Sequence, residues 1–196
     1  MPNFTKAAIK QSFIKLLNER PLKQITVRDI VDDCGINRNS FYYHFSDIPT
    51  LLEEIIMEEA RRIISEYPNI DSIETCLLAV VEFARQNKRA IFHIYHSVNR
   101  TIYEQYLWQV CEEIVKVYLK TLMSEAALSE EDTELIIRFY KCVCFGLTSE
   151  WLRTGMHSDI TSDLHRICEL KKGMVEEMIA RCKRKDDLTP SDSDSN

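Results

Sequence analysis

The chain reads as an all-α protein with a small N-terminal head and a larger helical body. Only four Gly and five Pro are spread through 196 residues, long stretches lack both, and apolar residues recur at three- and four-residue intervals. An all-β chain would need turn residues every ~10 positions. A length of 196 residues suffices for a small module beside a larger core.

In the head, Ala8, Ile9, Ser12, Phe13, Leu16 and Leu17 fall on one face of a first helix from about Phe4 to Glu19, and Pro21 ends it. Thr26 is placed to cap a second helix, with Asp29 three positions on to complete a capping box before Val27, Ile30 and Val31. Gly35 stops that helix. Asn37 or Asn39 starts a third, short helix that turns Phe41 inward and leaves Arg38, Asn39, Ser40, Tyr42 and Tyr43 outside. A helix of about eight residues, a glycine turn and a polar-aromatic helix make a helix-turn-helix. Its composition suits DNA: Arg, Asn and Ser hydrogen-bond base edges, while Tyr and His hold phosphates, and residues 37–44 supply both kinds.

A fourth helix from Leu51 to about Tyr67, with Leu52, Ile55, Ile56 and Ile63 inward and closed by Pro68, links head to body. Further helices are expected near residues 71–88, 90–98, 101–124, 130–154 and 161–184, ahead of a polar tail at 185–196 expected to be disordered. The predicted division is 1–48 for the DNA-binding head and 49–184 for a regulatory and dimerisation body. Wide apolar stripes on the last two helices, including Phe139, Val143, Leu147, Trp151, Ile167, Met174 and Met178, predict a two-fold interface, with Gly146 and Gly173 permitting close backbone approach. Phe92, Tyr95, Tyr103, Tyr106, Trp108, Phe139 and Tyr140 are a candidate wall for an effector pocket, or an ordinary aromatic core; pattern alone gives both.

The net charge of −6 is unevenly placed: residues 1–50 hold seven Lys and Arg against five Asp and Glu, so the acidity belongs to the body. Affinity for phosphates follows the local surface, so an acidic body is compatible with a DNA-reading head but excludes indiscriminate coating of nucleic acid. The seven cysteines are odd in number and lack a CxxC pair, which reads as reduced thiols. No apolar run matches a signal segment or a membrane span, so a cytoplasmic protein without membrane partners is expected. His93 and His96 have a metal-compatible spacing with Glu104 close in sequence, but two histidines without a second motif read as polar groups at a core edge. With no phosphate loop, nucleophile elbow or HExxH motif, neither an enzyme nor any metal or cofactor is expected.

The run Ile25-Thr26-Val27-Arg28-Asp29-Ile30, then Cys34-Gly35-Ile36-Asn37-Arg38-Asn39-Ser40-Phe41-Tyr42-Tyr43-His44-Phe45, then Leu51-Leu52 resembles the DNA-binding signature of TetR-family regulators over roughly residues 5–56. The resemblance implies double-stranded operator DNA as partner, a homodimer closed by a four-helix bundle, and a body that senses an effector. It places Arg28, Arg38, Asn39 and Tyr43 near base edges, and Thr26, Ser40, Tyr42 and His44 near phosphates, with Phe13, Ile30, Phe41 and Phe45 as the supporting core. Many relatives carry a Lys at the start of the fourth helix. This chain has Asp47-Ile48-Pro49, where helix-terminus amides are left to serve a phosphate. The implied function is a repressor released from its operator by a small molecule. The Trp151-Leu152-x-x-Gly155-Met156 element resembles a Firmicutes TetR-type group that includes activators, so an activator or coregulator controlled by a protein partner is the alternative.

Overall fold

A computed structural model describes residues 2–67, 73–96 and 100–186. Among them there is no strand, and the elements are α1 (Pro2–Glu19), a 3-10 turn (Leu22–Gln24), α2 (Val27–Cys34), α3 (Arg38–His44), α4 (Ile48–Glu66), α5 (Ile73–Gln86), α6 (Lys88–Tyr95), α7 (Arg100–Ala126), α8 (Glu130–Arg153), α9 (Ile160–Leu170) and α10 (Met174–Asp186). The all-α prediction holds. Pro68, residues 71–72 and 97–98, and residues 187–196 of the expected tail lie outside the described residues, whereas 185 and 186 close α10.

Packing divides the chain into two compact units. The first comprises residues 1–65 and 79–110, the second residues 66–78 and 111–196. In the first unit, α1 packs on α2, α3 and α6. Ile9, Phe13, Leu16 and Leu17 of α1 meet Ile30, Val31, Phe41, Phe45, Leu51 and Leu52 in a fully buried core. The one buried polar side chain among them, Ser12, donates its hydroxyl to the Ile30 carbonyl at 3.1 Å, which satisfies it without water.

Three longer-range bonds tie later helices to this head. A His93 ring nitrogen pairs with the Leu17 carbonyl at 2.6 Å, the Tyr106 hydroxyl donates to the Pro49 carbonyl at 2.8 Å, and the Gln109 amide donates to Glu53 at 3.1 Å. Burial, together with nearby Glu53 and Asp47, pushes the Tyr106 hydroxyl up to about 12, so it stays a donor. Lys10 bridges Glu54 and Glu58, locking α1 along α4.

The second unit is built on the α7–α8 hairpin. Val115, Leu119, Met123 and Ala126 pack with Ile136, Tyr140 and Ile179, and Val175, Met178 and Cys182 of α10 close over them. At the end of α8 the Met156 N–H donates back to the Trp151 carbonyl at 2.9 Å, with Trp151, Leu152 and Met156 all buried. The Trp-Leu-x-x-Gly-Met element is thus a helix C-terminal lock of the Schellman type.

One expectation is corrected. The single helix predicted over 161–184 is two helices, because Gly173 adopts a left-handed φ of 82° and the Met174 N–H turns back to the Lys171 carbonyl at 2.9 Å. A Cβ at Gly173 would meet nothing within 4 Å, so its backbone angle, and no close approach within the chain, explains it.

Because Phe41 has no exposed surface, Phe41→Ala should cost about 3–5 kcal/mol. Urea unfolding followed by circular dichroism checks this, and a cost under about 1 kcal/mol would show that α3 is held in some other way.

Candidate nucleic-acid interface

A seven-residue helix does not persist alone in water, so α3 is held at its ends and from beneath. At its start the Asn37 side-chain oxygen accepts from the Ser40 N–H at 2.8 Å and from the Ser40 hydroxyl at 3.1 Å. Beneath it, Phe41 and Phe45 are buried with ring centroids 5.9 Å apart, and the Lys6 ammonium sits 5.4 Å above the Phe45 ring. Gly35, at φ 69°, ends α2 and turns the chain, with the Ile36 N–H returning to the Val31 carbonyl at 3.0 Å.

The capping box predicted for α2 is formed. The Asp29 N–H donates to the Thr26 hydroxyl oxygen at 3.2 Å, and the Thr26 N–H and hydroxyl donate to the Asp29 carboxylate at 2.8 and 2.6 Å. Those bonds from Thr26, with Arg20 at 3.2 Å, hold the Asp29 carboxyl below the usual carboxylate range.

The predicted DNA-binding residues therefore fall into two sets. Thr26, Asn37 and Ser40 commit their side-chain groups to caps within the head. Arg38, Asn39, Tyr42 and Tyr43 are brought together on the exposed face of α3, Tyr42 54% and Tyr43 78% exposed. The half-buried His44 ring stands edge-on to Tyr43 at 5.0 Å. Arg28 also points outward but pairs with Asp32 at 3.4 Å; at such exposure the pair is worth under about 1 kcal/mol.

The start of α4 differs from the expectation. The Asp47 carboxylate accepts from the Thr50 N–H at 2.7 Å and the Ser46 and Thr50 hydroxyls bond at 2.8 Å, so a carboxylate occupies the helix terminus that was expected to offer amides to a phosphate. The signal was in the sequence, since Asp three residues before Thr50 is an N-terminal cap.

The other predicted residues separate. Phe92, Tyr95 and Tyr103 form an aromatic cluster in the first unit, with Tyr95 meeting Phe92 at 6.3 Å and Tyr103 at 5.0 Å. Tyr106 and Trp108 belong to the same unit. Phe139 and Tyr140 belong to the second unit, and Phe139 is 45% exposed. Of the predicted interface residues, Phe139 and Met174 are exposed, Val143, Leu147, Ile167 and Met178 are half-buried, and Trp151 is buried within the protomer. Exposed Leu135, Cys142 and Gly146 extend the outward stripe of α8 from Phe139. His93 is engaged by Leu17, His96 stacks on Phe92 at 5.6 Å, and no group of three potential metal ligands converges among the described residues.

A profile of bacterial regulatory proteins of the tetR family matches residues 14–55, and one described as a transcriptional regulator C-terminal region matches residues 71–184. The chain belongs to the TetR family of transcriptional regulators. YxbF of Bacillus subtilis (strain 168), an uncharacterized HTH-type transcriptional regulator, is 29% identical over 56 residues, which make 29% of this chain and 15% of that protein. The dihydroxyacetone kinase operon activator DhaS superposes with a TM-score of 0.63 at 19% identity, over 91% of this chain and 96% of that one. A TetR transcriptional regulator from Streptococcus agalactiae 2603V gives 0.57 at 21% identity, over 85% and 92%. These two share the fold. Membership in the TetR family makes the chain a DNA-binding transcriptional regulator. No helix among the described residues is long and apolar enough to cross a membrane.

The Asp29 cap carries a pH signature. Its carboxyl is depressed in the folded head, so its contribution is fully present above the unfolded value of about 4 and is lost as pH falls through the lower folded value. Urea unfolding between about pH 2 and 6 should show a shallower acid limb for Asp29→Asn than for wild type; superimposable limbs would remove the cap from the acid response.

Proposed function

We propose that this TetR-family protein is a repressor that grips operator DNA as a homodimer through α3 and lets go when a small molecule binds its body. The observation that carries the reading is the outward face of α3, where Arg38, Asn39, Tyr42 and Tyr43 make no hydrogen bond or ion pair among the described residues while Phe41 beneath them is buried. Uncommitted donors on a clamped helix can meet base edges without first breaking bonds of their own. Repression requires only that the operator be occupied, and this head needs no further surface for it.

In this reading residues 1–48 act as the head and 49–184 as the regulatory and dimerisation body. Arg38 and Asn39 near the amino end of α3 read bases, with Arg28 and Tyr43 beside them, and Tyr42 and His44 meet phosphates. Thr26, Asn37 and Ser40 hold the frame. Two copies meet across the α8 stripe of Leu135, Phe139 and Gly146 and across Met174, where exposed apolar groups are otherwise unexplained. The effector is a small aromatic or apolar molecule taken up near Phe92, Tyr95, Tyr103, Tyr106 and Trp108. The likeness to DhaS, an operon activator, favours the second reading, an activator or coregulator answering to a protein partner.

Titration of specific and random duplexes at several salt concentrations tests the reading helix. Asn39→Ala should cost about 1–3 kcal/mol on the operator and much less on random DNA, whereas Tyr42→Phe should weaken both alike with little change in salt slope. Unchanged specific binding in both variants would displace α3 from the groove. Light scattering should give a dimer mass for wild type and a monomer mass for Phe139→Asp; a monomeric wild type would refute the interface. A reporter fused to the promoter selected by the protein from host DNA should rise when the protein is deleted, and a fall would establish the activator instead.

A further inference from the structure

The amino-terminal part of α7 meets the first turn of α4 on matched spacings. Tyr106 and Gln109, one turn apart on α7, reach Pro49 and Glu53, one turn apart on α4. The Tyr106 contact is complete, since the hydroxyl of this buried side chain donates to the Pro49 carbonyl at 2.8 Å. The Gln109 contact is half complete. Its amide nitrogen donates to the Glu53 carboxylate at 3.1 Å, whereas its Oε1 is buried and accepts no hydrogen bond among the described residues. Turning the amide over would set that oxygen against the carboxylate, so the orphaned acceptor belongs to the arrangement. A buried acceptor left unpaired gives up its hydration without return.

Glu53 is incomplete in a complementary way. Along α4, Glu54, Glu58 and Glu59 each hold a Lys or Arg side chain, but the half-buried Glu53 holds no cation among the described residues. Asp47 lies near the same Tyr106 hydroxyl and adds a second negative charge, its carboxylate occupied by the Thr50 N–H at 2.7 Å. Glu53 and the Gln109 Oε1 therefore stand side by side as acceptors, one of them charged. An ammonium satisfies both at once, because it carries three donors and the compensating charge. A neutral donor leaves the carboxylate uncompensated, and an anion is repelled. A divalent metal takes about six oxygens, more than one carboxylate and one amide supply, and no group of three potential metal ligands converges among the described residues. One turn before Tyr106 on α7 stands Tyr103, whose ring meets Tyr95 at 5.0 Å, and aromatic surface of this kind suits both an apolar body and a cation.

We propose that Glu53 and the Gln109 amide oxygen form a binding site for an organic ammonium ion whose aromatic or apolar body extends along α7 toward Tyr103 and Tyr95. The proposal rests on the effector reading above and names the chemical class of that effector. The ligand's N–H groups donate to Glu53 and to the Gln109 Oε1, so Glu53 is shared between the ligand and the Gln109 amide. The hold of α7 on the first turn of α4 then depends on Tyr106 and Pro49 alone. Because α4 begins at Ile48, directly after the turn that ends α3 at His44, a loosened first turn is felt at the reading helix.

The test titrates the full-length protein with phenethylamine, protonated at neutral pH, and with phenethyl alcohol and phenylacetate as its neutral and anionic counterparts. Calorimetry and melting curves read binding. The amine should give a saturable rise in melting temperature and bind at least about tenfold more tightly than either counterpart, the effect of one charge-assisted hydrogen bond. Glu53→Gln and Gln109→Met should each weaken the amine by a similar factor, with circular dichroism confirming that the variants are folded. The wild-type ranking of the three compounds needs no variant. The proposal is overturned if the amine gives no saturable shift, if the alcohol binds as tightly, if Glu53→Gln leaves amine binding unchanged, or if magnesium ion alone gives a shift that Glu53→Gln abolishes. Release of operator DNA is read separately. An amine that binds while the operator stays bound supports the site and refutes the effector reading, whereas release by all three compounds alike supports the effector reading and overturns the ammonium site.

Discussion

The burial of Phe41 against α1 and α2 is the constraint from which the exposed polar face of α3 follows. A helix as short as α3 bears a nucleation cost without enough of its own hydrogen bonds to recover it, so tertiary packing must supply the difference. Phe41 and Phe45 do this against Phe13, Ile30 and Leu51, all of them buried. Removing the apolar anchors would leave Arg38, Asn39, Tyr42 and Tyr43 chemically intact and without a fixed direction. The two ends of the turn complete the placement, since Asn37 sets where α3 starts and Gly35 sets the bend that angles it away from α2.

A head this small buries little apolar surface by itself, and the structure supplements it. In the first unit, α6 and the opening turns of α7 pack with the head, and each does so through a specific polar bond at a helix end: His93 to the last turn of α1, Tyr106 to the first turn of α4. Backbone carbonyls at such positions have no partner within their own helices or can accept a second bond. Side chains from elsewhere in the chain thereby fix helix ends that packing alone would let slide. The aromatic cluster of Phe92, Tyr95 and Tyr103 lies on the same two helices.

The second unit rests on a different kind of regularity. Its core joins Val115, Leu119, Met123 and Ala126 of α7 to Ile136 and Tyr140 of α8, and α10 closes over them through Val175, Met178 and Ile179. The inward face of α8 carries Ile136 and Tyr140, whereas Leu135, Phe139 and Gly146 point away, so one helix serves both the protomer's core and an outward apolar stripe. Trp151 shows how narrowly the two faces are separated. It shares the four-residue spacing of Phe139, Val143 and Leu147 but is buried, because successive four-residue steps drift around a helix of 3.6 residues per turn.

The all-α class, the helix-turn-helix, the Thr26–Asp29 box, the Gly35 turn and the inward set of Phe13, Ile30, Phe41 and Phe45 were all legible in the chain. Each depends on residues within one or two turns of one another, where backbone preferences and side-chain periodicity act directly. Three features were not legible. The break at Gly173 was hidden because glycine inside an apolar stripe signals either a close approach or a left-handed turn, and only the backbone angle separates them. The burial of Trp151 depends on which helix faces meet across long sequence distances. The bonds from His93, Tyr106 and Gln109 join residues 76, 57 and 56 positions apart; no local pattern encodes such a pairing, because it arises only when helices packed by non-directional apolar burial happen to bring a donor and an acceptor within reach.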